Sequence, residues 1–104
     1  MGHEGKHTTF QDRCYLLLKS VPKGKVTTYS AIAHALDSRA YRAVGSAMRK
    51  NKDPEVPCHR VVLSSGKLGN YNKGPKLKAE LLEKEGVRIR NGKINLPVSL
   101  YEFR

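Results

Sequence analysis

The chain has no tryptophan, and only two residues each of cysteine, phenylalanine and methionine. Cys14 and Cys58 are too few for a disulfide framework. Neither stands in a C-x-x-C pair, which argues against a thiolate zinc site or a dithiol redox centre. No stretch approaches the uninterrupted apolar length of a membrane helix. The start, MGHEGKHTTF, lacks the apolar core of a secretory signal. It also carries Lys6 where N-myristoylation needs Ser or Thr. These absences predict a reduced, cytoplasmic, nucleoid-associated protein with no membrane partner. Acidic residues are scarce as well: 9 Asp and Glu stand against 20 Lys and Arg, a formal charge of +11 over 104 residues. So large an excess raises self-repulsion, and a polyanion is the partner that relieves it. The excess leans to the first half, where residues 1–52 hold ten basic and three acidic groups.

A chain of this length makes one small domain. Residues 1–7 are expected to form a flexible leader and residues 8–104 the domain. Thr9 is placed to cap a first helix, with Asp12 completing a capping box. Phe10, Cys14, Leu17 and Leu18 then share one face, and Pro22-Lys23-Gly24 ends the helix. Val26–Tyr29 is β-prone. Ser30 is the expected cap of a second helix, Ala31–Leu36, with Ile32, Ala35 and Leu36 inward. A turn at Asp37–Arg39 leads to a third helix, Ala40–Lys50, with Tyr41, Val44, Ala47 and Met48 on one face. Two short helices joined by a tight turn form a helix-turn-helix candidate. After a polar loop, Asn51–Pro57, the run Val61–Leu63 is apolar and Ser64–Asn70 is turn-rich. Pro75 opens a fourth helix with Leu77, Leu81 and Leu82 inward and Gly86 closing it. Asn91-Gly92 between Val87–Arg90 and Lys93–Leu96 predicts a type I′ hairpin. The tail Pro97–Arg104 carries no clear signal. The fold class expected is mainly α, a winged-helix-like helix-turn-helix domain with a small β-hairpin.

Two motifs carry possible chemistry. His3-Glu4-Gly5-Lys6-His7 matches H-E-x-x-H literally. A zinc protease needs that pattern on a stable helix with a third ligand, whereas here Gly5 interrupts it and no third ligand follows. No metal site is expected. Pro57-Cys58-His59-Arg60-Val61-Val62 is the second motif. A thiol attacks only as thiolate, which nearby positive charge and a histidine base favour. On extended chain, neighbouring side chains point to opposite sides, so His59 reaches the sulfur only through a water or a bent backbone. Cys58 is equally readable as a small core residue.

Pro57–Val62, followed by Ser64-Ser65-Gly66 and Gly69-Asn70-Tyr71, resembles the active-site signature of the O6-alkylguanine-DNA alkyltransferases. Val26-Thr27-Thr28-Tyr29 is similar to that family's first recognition element. Arg42-Ala43-Val44-Gly45-Ser46-Ala47-Met48-Arg49 with Asn51 is similar to its DNA-reading helix and hinge. Leu81–Gly86 is similar to the segment bearing its buried glutamate. The resemblance spans roughly residues 8–90.

It implies repair by direct reversal: an alkyl group moves from guanine O6 in double-stranded DNA onto Cys58, once per molecule. His59 would deprotonate Cys58 through a water, and Glu85 would orient His59. Tyr71 would donate to the leaving guanine. The target must be flipped out of the duplex. Arg42 would fill the vacated stack and Tyr29 would push the 3′ phosphate. Ala43, Gly45, Ser46 and Arg49 would lie along the minor groove, where small side chains allow close approach. Tyr71 and the backbone around Val61 and Ser64-Ser65 would hold the guanine face and O6, and Asn51 would tie the helix-turn-helix to the cysteine loop. Lys78 falls near the site by the same resemblance and reads equally as a solvated helix lysine. No cofactor and a monomeric state are implied. Two departures stand out. Few residues precede the first helix, where many members carry another domain. The length also matches the alkyltransferase-like proteins, which bind alkylated guanine but replace the acceptor cysteine, whereas Cys58 is kept here.

Overall fold

The computed structural model describes residues 9–103. The expected leader and its His3–His7 motif lie outside the described residues. In chain order the elements are α1 (Phe10–Lys19), β1 (Thr27–Thr28), α2 (Tyr29–Ala35), α3 (Tyr41–Lys50), β2 (Val61–Val62), α4 (Pro75–Lys84), β3 (Ile89–Arg90), β4 (Lys93–Ile94) and α5 (Leu96–Ser99). The architecture is mostly helical and helix-turn-helix-like, with a small hairpin wing, as the sequence predicts.

Local chemistry sets most boundaries. The capping box at α1 is formed: the Asp12 N–H donates to Thr9 Oγ1 at 3.0 Å, and the Asp12 carboxylate accepts from the Thr9 N–H. At α2 the cap is Thr28 and not Ser30, because the Thr28 hydroxyl accepts from the Ala31 N–H at 3.0 Å. The helix therefore begins at Tyr29, two residues earlier than expected. At the end of α4, Gly86 adopts φ +97°, and the N–H groups of Gly86 and Val87 return to the carbonyls of Glu83 and Leu82. This is a Schellman stop, sealed by Val87 packing beside Leu82. Asn91 and Gly92 both have positive φ, as a type I′ turn requires, and β3 pairs antiparallel with β4.

The core has two parts. The larger gathers Cys14, Leu18, Val21, Ile32, Val44, Met48, Val56 and Cys58 between α1, α2 and α3. The smaller gathers Val26, Val62, Leu82, Val87 and Ile94 under the wing. A parallel pairing of β1 with β2, Thr27 to Val61 and Thr28 to Val62, stitches the two together. Helices α2 and α3 form the crossover between these strands. The tail is ordered onto the body: Val26 bridges to Leu100, and Tyr101 and Phe103 pack on the larger core.

Some inward assignments reverse. Leu77 is exposed and Lys78 is fully buried in its stead, because α4 buries the narrow stripe Lys78–Leu82. Ala35 is exposed while Ala33 is buried, and Tyr41 stands in solvent at the start of α3.

Candidate functional site

A cleft of about 800 Å³ opens between α3 and the loop that follows β2. Tyr29, Arg42, Gly45 and Arg49 line one side, and Leu63, Gly69, Asn70 and Tyr71 the other. Cys58 also lines it, with only 7% of its surface exposed. The chain around the cysteine is not extended: Cys58–Arg60 forms one turn of 3₁₀ helix. The bent backbone sends Cys58 toward the cleft and His59 toward the end of α4.

Asn51 holds the sulfur. It ends α3, and its amide nitrogen lies 2.8 Å from Cys58 Sγ and 3.2 Å from the carbonyls of Asp53 and Val56. One side chain thus closes the loop 51–58 and supplies an N–H to the sulfur. Met48 O is 3.8 Å from Sγ on the buried side.

Behind the cysteine, His59 Nε2 is 2.8 Å from Glu85 Oε2. The same carboxylate is clamped by Arg60, whose Nε and Nη2 each donate at 2.9 Å. Arg60 Nη1 also donates to Val21 O at 2.7 Å. Glu85 caps the C-terminal end of α4, where the helix dipole disfavours an anion, and the bidentate arginine compensates. Burial pushes the Glu85 carboxyl up, but the hydrogen bonds from Arg60 and His59 outweigh it and leave it below its ordinary value. An ionised Glu85 makes Nε2 the protonated nitrogen of His59 and leaves Nδ1 as the base. Burial holds His59 below its ordinary pKa even though Glu85 pulls the other way. It is neutral near pH 7 and ready to accept a proton.

The sulfur itself is a thiol at rest. Burial pushes the Cys58 pKa up, against the Asn51 hydrogen bond and the charges of Lys78 and Lys73, which pull it down. Lys78 is fully buried, donates from Nζ to Asn70 O at 2.9 Å, and is lowered by burial to about 8. It is no solvated lysine. It pins the loop that carries Tyr71 and places a cation near Cys58. Burial raises the Tyr71 phenol, so it remains a donor, and its ring meets His59 edge-on at 6.4 Å.

The other expected residues are distributed around this centre. Val61 is fully buried behind Cys58 in the parallel strand pair. Ser64 and Ser65 line a shallower depression beside Tyr29, Tyr41 and Leu63. Ala43 is exposed on the outer side of α3, and Ser46 is half-buried there. Arg60 carries weight that its sequence context did not signal. Arg60 is written into the Pro57–Val62 motif, but a lone arginine in a basic chain reads as surface charge. Among the described residues no group of three or more His, Cys, Asp or Glu is placed to hold a metal ion. No helix among them is long and apolar enough to cross a membrane.

Fold and site together define a helix-turn-helix domain with a supported thiol at the floor of a cleft beside its second helix. Residues 9–87 match the family of the 6-O-methylguanine DNA methyltransferase, DNA binding domain, and the chain belongs to that family. A methylated-DNA–protein-cysteine methyltransferase of Thermococcus gammatolerans is 49% identical over 87 residues, covering 82% of this chain and 49% of the relative. The chain spans about half the length, or less, of such curated relatives. Schizosaccharomyces pombe Atl1, crystallised with damaged DNA containing O6-carboxymethylguanine, superposes with a TM-score of 0.81 at 32% identity over 89% of this chain and 94% of its own. Mycobacterium tuberculosis OGT in complex with DNA gives 0.71 at 42% identity over 75% and 49%.

Proposed function

We propose that this protein repairs double-stranded DNA by transferring an alkyl group from guanine O6 to Cys58, once per molecule. The observation that carries the reading is the constellation at the cleft: a thiol held by Asn51, with a neutral His59 whose other nitrogen is fixed by an ionised Glu85. This is the nucleophile, base and orienter arrangement of acyl-transfer triads, with a water between thiol and base. The flipped nucleotide enters between Tyr29 and Tyr71. His59 Nδ1 takes the thiol proton through the water. The sulfur attacks the alkyl carbon, the carbon–O6 bond breaks, and its electron pair stays on guanine. Tyr71 donates a hydrogen bond to the leaving anion, and the proton drawn from the thiol returns to the base. The product is a thioether, which water does not cleave, so the reaction ends the protein's activity.

Arg42 stands on the cleft rim at the first turn of α3, where an extended cation can occupy the space left by the base. Tyr29 faces it from α2. Arg49 lies a further two turns along the same cleft, and Gly45 between them keeps the helix surface low. Val61 shapes the floor from behind, and Ser64 and Ser65 meet the backbone beside the flipped nucleotide. Ala43 and Ser46 meet the groove.

A second reading has its own support. Atl1, crystallised with damaged DNA, superposes on this chain with a TM-score of 0.81. Binding of the lesion without transfer, as a damage flag, is the alternative. Intact and peptide mass spectrometry after mixing with a duplex containing one O6-methylguanine separates them. Transfer predicts a gain of one methylene unit on the peptide bearing Cys58, with loss of the lesion from DNA, and no gain in Cys58→Ser. Tight lesion binding with unchanged protein mass would replace transfer by sensing.

A further inference from the structure

We propose that Lys67, Arg88, Arg90 and Lys93 form a second DNA contact, a strip on the outer face of the wing that grips the phosphate backbone of the duplex flanking the flipped base. The inference rests on the reading above, that the partner is a duplex. The strip is separate from α3, and three of its four residues lie beyond the residues matched to the family.

Register places the cations. Arg90 is the direct partner of Lys93 across the hairpin, and Lys93 bridges on its other side to Lys67. Directly paired residues of a ladder project to the same face. Lys67, Lys93 and Arg90 therefore form one row over three adjacent segments, about 10 Å long at about 4.8 Å per step. Arg88 lies two residues before Arg90 and shares its face by strand alternation. The opposite face is the core side: Ile89 pairs with Ile94, and Ile94 packs with Val26, Val62 and Leu82. All four cations are exposed, and among the described residues none of them makes an ion pair.

Like charges placed directly opposite each other destabilise a hairpin. Among the described residues no ion pair offsets them, and the segments that carry them, 56–79 and 87–101, contain no Asp or Glu. The arrangement calls for an anion from outside. Its chemistry points to a phosphate backbone in preference to an acidic protein. The outward positions, Ser65, Lys67, Arg88, Arg90, Lys93 and Asn95, include no apolar or aromatic anchor of the kind that carries protein interfaces. The strip also continues from the cleft: the Leu63 N–H donates to Lys67 O at 2.9 Å, and Leu63 lines the cleft wall. A duplex seated on α3 with one base in the cleft would run its backbone past Lys67 toward the hairpin.

The test uses the full chain and the variant Arg88→Gln/Arg90→Gln/Lys93→Gln, with anisotropy titrations on a long duplex carrying one O6-methylguanine. Each lost phosphate contact removes about 0.9 from the slope of log affinity against log salt. Three contacts correspond to about 40-fold less affinity loss in the variant than in the wild type between 50 and 200 mM salt. Two further duplexes, each trimmed close to the lesion on one side, locate the strip: on one of them variant and wild type should bind alike. Transfer from free O6-methylguanine base should be unchanged, which shows that the variant is folded. Lys93→Gln alone should give about a third of the slope change. An unchanged slope in the triple variant, with the wild type binding the lesion duplex, overturns the strip and leaves the proposed function standing. A wild type that binds no duplex overturns both.

Discussion

Asn51 and Lys78 both pull Cys58 toward thiolate, by different routes, against the burial that keeps it a thiol. Asn51 gives the sulfur a neutral N–H, while Lys78 gives it a charge through the interior. Because burial raises the Cys58 pKa, its alkylation by iodoacetamide should keep climbing beyond about pH 10, where an ordinary thiol has levelled off. Asn51→Ala removes the hydrogen bond that favours thiolate and should move that curve to still higher pH. A curve that plateaus near pH 8.5 in the wild type would show a thiolate already present at rest. Lys78 makes a second prediction. Its folded pKa is about 8 against an ordinary 10.5. Between those values the unfolded chain holds a proton that the folded chain has released, so this residue makes stability rise with pH from about 8 to 10.5. Urea titrations at pH 7, 9 and 10 should show the rise in the wild type and its loss in Lys78→Met. A residue of this kind is hard to read from sequence. Cys58, His59 and Glu85 are marked by an ordered set of motifs. Arg60 looks like any of the other basic residues until burial sets it apart, and Lys78 is pointed to only by the resemblance.

Among the elements, the helices and the hairpin were legible because their ends and turn are written in local chemistry: Thr9 with Asp12, Pro75 and Gly86 for helices, Asn91-Gly92 for the turn. The cap of α2 was misassigned because Thr28 and Ser30 are both good caps two residues apart, and only tertiary pairing of β1 selects Thr28. The β1–β2 ladder was not legible at all, since two-residue strands separated by two helices leave no periodic trace. That ladder contains a defect. Thr27 Oγ1 is buried without a hydrogen-bond partner among the described residues. Thr27→Val keeps the shape and removes the orphan hydroxyl, and thermal unfolding should show a gain of about 1 kcal/mol. The wing contains a tight joint. Gly66 has φ +92°, and a Cβ there would stand 2.8 Å from Ile94 O, a backbone atom that cannot turn away. Gly66→Ala should cost about 1–3 kcal/mol and weaken the Ile94-to-Gly66 hydrogen bond, now 2.8 Å. A shift below 0.5 kcal/mol would mean the loop moves aside freely.

At the scale of the molecule, function and stability meet at the seam between the two cores. Arg60 reaches Val21 in the larger core, while Glu85 ends the helix whose Leu82 fills the smaller one. His59 depends on both. The charge distribution follows the same division: α3 presents Arg42 and Arg49 at the cleft, and the wing presents its own cations further out. The wing set is not visible as a unit in the sequence, where Lys67 and Arg90 stand 23 positions apart; register alone unites them.

The shared carboxylate of Glu85 has a consequence for local opening. A fluctuation that lifts the wing from the body draws α4's end away and releases Arg60 and His59 together. The backbone amides of Ile94 in the wing and Arg60 in the cysteine loop should then exchange with solvent deuterium as one cooperative unit, with matched protection. In Glu85→Gln, which weakens the tie, the two protection factors should separate, the wing exchanging faster. Under the proposed transfer, readiness is then intermittent: each opening of the hairpin is also a brief interval in which the thiol would lack its base.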